Sequence, residues 1–175
     1  MADLPVQPTD CPADIIFVLD KSGSIHSSDF DLTKSFLSRL VNRLDIDSGK
    51  TRVGLVTYAT NIGSGFNLSD HSSVAAVQAA ISALSYTGGN TNTAAALAHV
   101  RRSMLTAATG DRSNVSNVVV VLTDGRSNNK SATQVCVNVK VTYFVHLPVQ
   151  LPTDVIERIL FFAFVLCPCM CLGHC

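Results

Sequence analysis

The sequence predicts an α/β protein built on a doubly wound, mainly parallel central sheet flanked by helices. Three observations carry that expectation. The apolar runs Asp14–Leu19, Val53–Tyr58 and Val118–Thr123 have the length and β-branched content of strands buried on both faces. Between them lie stretches whose apolar residues recur at helical spacing. The first strand, a helix and the second strand fit within about 45 residues, the size of a βαβ unit, which implies a parallel pair and a right-handed crossover.

The elements follow in order. Residues 1–13 are polar and hold three prolines, as a tail or linker does. After the first strand, Ser27 or Ser28 is placed to cap a helix that starts near Asp29. Phe30, Phe36, Leu37, Leu40, Val41 and Leu44 form its apolar stripe. Ile62–Leu68 reads as a short third strand, with Gly63 and Gly65 marking an edge or a bulge. Val74, Val77, Ile81 and Leu84 define a second helix. A third is expected over Thr93–Ala107, with Leu97, Arg101, Met104 and Leu105 along one side. Arg101 and Arg102 read as a solvated helical face. Beyond Val135 the pattern loosens. Val135–Val145 reads as one more strand, and Thr153 as the cap of a last helix, Asp154–Leu166. The apolar run Ile159–Cys167 is shorter than the roughly 18–20 residues of a membrane span, so none is expected.

Composition bounds the function. The chain of 175 residues suits one domain with a substantial core. Lys plus Arg equals Asp plus Glu, 13 each, which offers no electrostatic footprint for nucleic acid. The first residues contain no basic region followed by an apolar run, so no signal peptide is visible. An intracellular chain and a fragment lacking its start both fit that observation. Asn67, Asn114 and Asn129 each open an Asn-x-Ser sequon, a slight push towards a secretory route. The scattered histidines His26, His71, His99 and His146 read as surface or packing residues. No Ser/His/Asp or Cys/His nucleophile signature is evident. The terminal CPCMCLGHC lacks the separated Cys-x-x-Cys pairs of zinc folds and reads as disulfide-bonded or unstructured.

The chemistry gathers at strand exits. In an open α/β sheet, ligands bind beyond the carboxyl ends of the strands. Asp20 ends the first strand, and Ser22 and Ser24 follow at alternate positions. Asp124 ends the VVVVLT strand, and the loop Gly88–Thr93 brings Thr91 and Thr93. If the first strand and the VVVVLT strand are neighbours, these oxygens converge. Two carboxylates and several hydroxyls suit Mg²⁺, which takes about six oxygens in an octahedral array. No paired Cys/His set is present to favour zinc. Gly23 and Gly125 serve backbone geometry.

DKSGS (20–24), TGGNTNTAAAL (87–97) and VLTDG (121–125) resemble the three segments of the metal-ion-dependent adhesion site of von Willebrand factor A domains, integrin I domains included. The lead-in CPADIIFVLD is similar to that of matrilin and collagen VI A domains. The resemblance spans roughly residues 11–133 and implies a metal set of Asp20, Ser22, Ser24, Thr91 and Asp124. Thr93 would stand behind that set or cap the helix. The implied ion is Mg²⁺, with Mn²⁺ or Ca²⁺ as alternatives. The implied partner is an extracellular matrix or cell-surface protein that supplies an Asp or Glu carboxylate. It would meet loops around Ser24, Gly89, Asn90 and Gly125. The resemblance also implies an extracellular, non-enzymatic binding module, and a disulfide from Cys11 to a C-terminal cysteine. The alternatives are a structural or truncated A domain without ligand binding and, further off, a metal-dependent hydrolase. The expected organisation is a tail over 1–13, an A-type domain over 14–147, and an atypical helix with a Cys-rich tail over 148–175. In that last part the sequence departs from the family.

Overall fold

A computed structural model describes residues 12–123, 128–129 and the backbone of 160–166. Strand β1 (Ala13–Asp20) is the centre of a five-stranded sheet. It runs parallel to β2 (Thr51–Tyr58) on one side and to β4 (Ser116–Thr123) on the other. Two antiparallel strands complete the sheet: β3 (Ile62–Phe66) beside β2, and β5 (Leu160–Leu166) beside β4. The order is β3-β2-β1-β4-β5, so β1 and the VVVVLT strand are neighbours.

Both faces of the three parallel strands are covered, which is why they read as unbroken apolar runs. Phe17, Leu19, Val53, Leu55, Val120 and Leu122 pack against α1 (Ser27–Val41) and α2 (Val74–Ser82). Ile16, Val18, Val56, Val119 and Val121 pack on the other side against α3 (Thr93–His99) and the turn that follows it. Each buried Val, Leu, Ile or Phe stabilises the fold by roughly 1.5–3 kcal/mol, so this double layer is the main source of rigidity under the strand exits. Edge strand β3 carries the expected irregularity, a register shift opposite Val56 and Tyr58. A Cβ at Gly65 would run into the Leu55 carbonyl, so only glycine lets β3 approach β2 there.

Three sequence expectations need correction. Neither Ser27 nor Ser28 caps α1. The helix begins at Ser27 with His26 at the N-cap and no side-chain cap bond. Tyr86 donates its hydroxyl to the Ile25 carbonyl at 2.7 Å, which fixes the chain just ahead and lets it enter the helix early. The third helix is α-helical only to His99. Leu105 N–H reaches the Val100 carbonyl at 3.0 Å and closes a π-helical turn over Val100–Met104. Arg101 and Arg102 on that turn are exposed, the solvated face that the sequence predicts. Finally, Leu160–Leu166 is strand and not helix. A short apolar run does not distinguish the two, and its aromatic and β-branched residues suit the open side of β4. Residues 154–159 and the expected strand Val135–Val145 lie outside the described residues. Among the described residues no helix is long and apolar enough to cross a membrane.

Candidate functional site

The three parallel strands end level with one another, and their last residues form the floor of the site. Register places Tyr58 beside Asp20 on one side, and pairs Leu19 with Leu122, one residue before Thr123, on the other. Asp20 is 2% exposed. A carboxylate so buried must be compensated, and here both oxygens are. Oδ1 accepts the Ser22 N–H at 2.8 Å. Oδ2 accepts the Thr123 hydroxyl at 2.6 Å and the Tyr58 hydroxyl at 3.4 Å. The Tyr58 oxygen also lies 3.2 Å from Thr93 Oγ1. Burial pushes the Tyr58 phenol well above its ordinary range, and the charge of Asp20 pushes it the same way. The phenol therefore stays protonated and donates to Asp20.

Above this floor lie two loops. Asp20 and Lys21 lead into the first, where Ser22 Oγ and Ser24 Oγ stand 3.2 Å apart. Ser22 is buried and Ser24 exposed. The hydroxyl of Tyr86 also reaches the Ser22 carbonyl at 3.3 Å, which anchors the loop from below. The second loop, 87–92, is folded by two left-handed glycines, Gly88 and Gly89, with φ 69° and 114°. Gly23 N–H donates to the Gly89 carbonyl at 2.8 Å and joins the two loops. Thr60 holds the second from outside: its Oγ1 accepts the Asn90 N–H at 2.9 Å. A Cβ at Gly89 would come within 2.8 Å of that same oxygen.

Asn92, not Thr91 or Thr93, caps α3: its side chain accepts the Ala95 N–H at 3.3 Å. That frees Thr93 to turn its hydroxyl down onto Tyr58. Thr91 is buried, and its carbonyl accepts the Asn128 N–H at 3.0 Å, which ties the loop to the chain beyond β4. Gly23, Ser24, Gly89 and Asn90 are exposed and form an open rim.

Of the sequence-derived set, the structure thus joins Asp20, Ser22 and Ser24 on one loop and the Thr91 loop to it. Asp124, Gly125 and Cys11 lie outside the described residues. Among the described residues no group of three or more His, Cys, Asp or Glu side chains comes together. Any cation held here meets hard oxygens, chiefly neutral hydroxyls, a donor set that fits Mg²⁺, Mn²⁺ or Ca²⁺ better than a thiolate-imidazole ion. Sequence reasoning missed Tyr58, Thr123, Thr60 and Tyr86. The first two had a signal: each is the last residue of a strand next to the one ending in Asp20.

Comparisons with known proteins agree with this architecture. The pattern of the von Willebrand factor type A domain matches residues 14–149. The collagen alpha-4(VI) chain of Mus musculus is 40% identical over 121 residues, 68% of this chain and 5% of the collagen. Matrilin-1 of Mus musculus is 37% identical over 118 residues, 66% of this chain and 24% of the matrilin. The chain therefore spans only a small part of the length of these relatives. Among solved structures, proximal thread matrix protein 1 from the mussel byssus superposes with a TM-score of 0.68 at 26% identity, covering 73% of this chain and 34% of that one. Another structure of the byssus protein, at TM-score 0.68 and 25% identity, has a zinc-occupied MIDAS motif and covers 73% of this chain and 35% of that one.

Proposed function

The chain belongs to the von Willebrand factor type A family, and from that premise we propose that it is a divalent-metal-dependent protein-binding module of the extracellular matrix. The observation that carries this reading is the buried Asp20 carboxylate, saturated by Ser22, Thr123 and Tyr58 beneath the Ser22–Ser24 hydroxyl pair and an open rim. Asp20, Ser22, Ser24, Thr91 and Asp124 would hold the ion, with Mg²⁺ as the expected occupant. When bound, the ion supplies a positive charge that a set rich in neutral hydroxyls neutralises less than an all-carboxylate set would. Ser22, Ser24 and Thr91 contribute no charge of their own. The Asp20 charge is shared with three protein donors. A partner's Asp or Glu carboxylate, entering between Ser24 and the Gly89–Asn90 rim, would then complete the coordination sphere. The collagen and matrilin relatives and the metal-occupied byssus site support an adhesive role over a catalytic one. They also support an extracellular location.

Thermal melting tests the reading. A ligand bound only by the folded state raises stability by about 2.7 kcal/mol when present at 100 times its dissociation constant. Added Mg²⁺ is expected to raise the melting temperature and a chelator to reverse it. A cooperative melt that ignores Mg²⁺, Mn²⁺ and Ca²⁺ alike would contradict the proposal.

A further inference from the structure

The three Asn-x-Ser sequons play no part in the metal site, and the structure sets them apart from one another. Asn67 is half-buried in a closed turn. Its N–H donates to Asp70 Oδ2 at 2.7 Å, and Asp70 N–H returns to its carbonyl at 3.2 Å. The next residue, Leu68, is core, and Ser69 N–H is held by the Thr109 carbonyl. Asn129 adjoins Asn128, whose N–H meets Thr91, so it sits on the rim side of the molecule.

Asn114 is exposed where Asn67 is half-buried, and it precedes β4 at the end of the sheet away from the rim. The turn Arg112–Val115 is closed by the Val115 N–H on the Arg112 carbonyl at 3.0 Å, and its two ends are pinned. Arg112 is clamped to the buried Asp14, and Val115 is packed in the core at 5% exposure. Ser113 and Asn114 are thereby pushed out as an exposed two-residue tip. Ser116, the sequon hydroxyl, is the first residue of β4. That strand runs about 23 Å, at ~3.3 Å per residue, before Thr123 meets Asp20 at the other end.

We propose that Asn114 is an N-glycosylation site, and that its glycan projects from the end of the sheet opposite the recognition rim. The co-reactant is an oligosaccharide carried on a lipid diphosphate. Asn114 Nδ2 bonds to the anomeric carbon of the first sugar. The sugar–phosphate bond breaks, the diphosphate departs with the electron pair, and one amide proton is released to a base. A large hydrated group on this tip displaces no packed side chain and lies far from the metal loops, so it adds bulk without obstructing a partner. The inference rests on the extracellular location and not on the metal site. Loss of metal binding would leave it standing.

The test is peptide mass spectrometry on the full chain secreted from animal cells behind a cleavable leader. The peptide containing Asn114 is expected to carry a glycan that an amidase removes, leaving the mass of an aspartate at that position. Asn114→Gln and Ser116→Ala should each abolish it, with Asn114→Gln melting as the parent does. Mg²⁺ affinity should be the same before and after deglycosylation. An unmodified Asn114 in the secreted protein would overturn the assignment. A Mg²⁺ affinity that changes on deglycosylation would overturn the placement away from the rim.

Discussion

Thr123 Oγ1 donates to Asp20 Oδ2 at 2.6 Å across the β1–β4 pair, the shortest of the hydrogen bonds that hold the buried carboxylate. This bond links the last residue of one strand to the last residue of its neighbour. It sets the carboxylate from the side that the sequence did not advertise. Thr123→Val keeps the shape and removes the donor. Loss of such an outer partner typically costs about 10–100-fold in metal affinity. Calorimetric Mg²⁺ titration of this variant should show a loss in that range, with the β-sheet circular dichroism unchanged.

Tyr58 gives a pH signature. Its ordinary value is 10.0, and burial followed by the Asp20 charge raises it in the folded state. Above pH 10 the unfolded chain releases this proton while the folded one retains it. The unfolded state then binds fewer protons, so stability falls as pH rises. The contribution is whole below pH 10 and declines above it, by about 1.4 kcal/mol per pH unit. Urea denaturation at rising alkaline pH should show this slope in the parent and a shallower one in Tyr58→Phe. Equal slopes would contradict the buried, protonated phenol.

The opposite end of the sheet tests separability. Arg112 Nε and Nη2 both donate to Asp14 Oδ1, at 2.9 and 2.6 Å, and its N–H reaches Oδ2 at 2.9 Å. The same guanidinium reaches the Gly49, Ala13 and Lys50 carbonyls. Asp14 is fully buried. Arg112→Ala strands that charge and should destabilise the fold by about 3–5 kcal/mol in denaturant titrations. Arg112→Lys should rescue little, since one ammonium does not replace a planar fork. Under folding conditions the Mg²⁺ affinity of both variants should match the parent.

Gly89 sets the second loop. With φ 114° and Thr60 Oγ1 in the way of a Cβ, Gly89→Ala must shift the backbone that accepts the Gly23 N–H. Strain of this kind costs on the order of 1–3 kcal/mol. The expected result is a lower melting temperature together with weaker Mg²⁺ binding, because the two loops lose their shared bond. Asn92→Ala removes the α3 cap, worth about 0.5–2 kcal/mol, and with it the 3.4 Å bond from Asn92 Nδ2 to the Thr60 carbonyl, a loss read in the same melts.

Much of this architecture is legible in the sequence, for a physical reason. Strands buried on both faces must be apolar at every position, so VVVVLT and IIFVL announce themselves. The positions of Asp20, Ser22, Ser24 and Thr91 follow from strand and helix ends. The network beneath them is less visible. Tyr58 and Thr123 look like ordinary strand residues until register brings them beside Asp20. The π-helical turn after His99, closed by the Leu105 N–H on the Val100 carbonyl, is a widening that no periodicity encodes. For Leu160–Leu166, an all-apolar run carries no period, and only the free side of β4 decides that it is a strand. The same network decides which substitution reports on the site. Asp20→Ala leaves three donors unanswered at a cost of about 1–3 kcal/mol. Asp20→Asn, which keeps the shape and an acceptor, is the cleaner substitution.

The most direct measurement is isothermal titration of Mg²⁺ into the parent chain, Asp20→Asn and Ser24→Ala, each first shown to melt cooperatively. The parent should bind a single ion, Asp20→Asn should give no detectable heat, and Ser24→Ala should bind more weakly. Equal affinity in all three proteins would contradict a metal site at this loop.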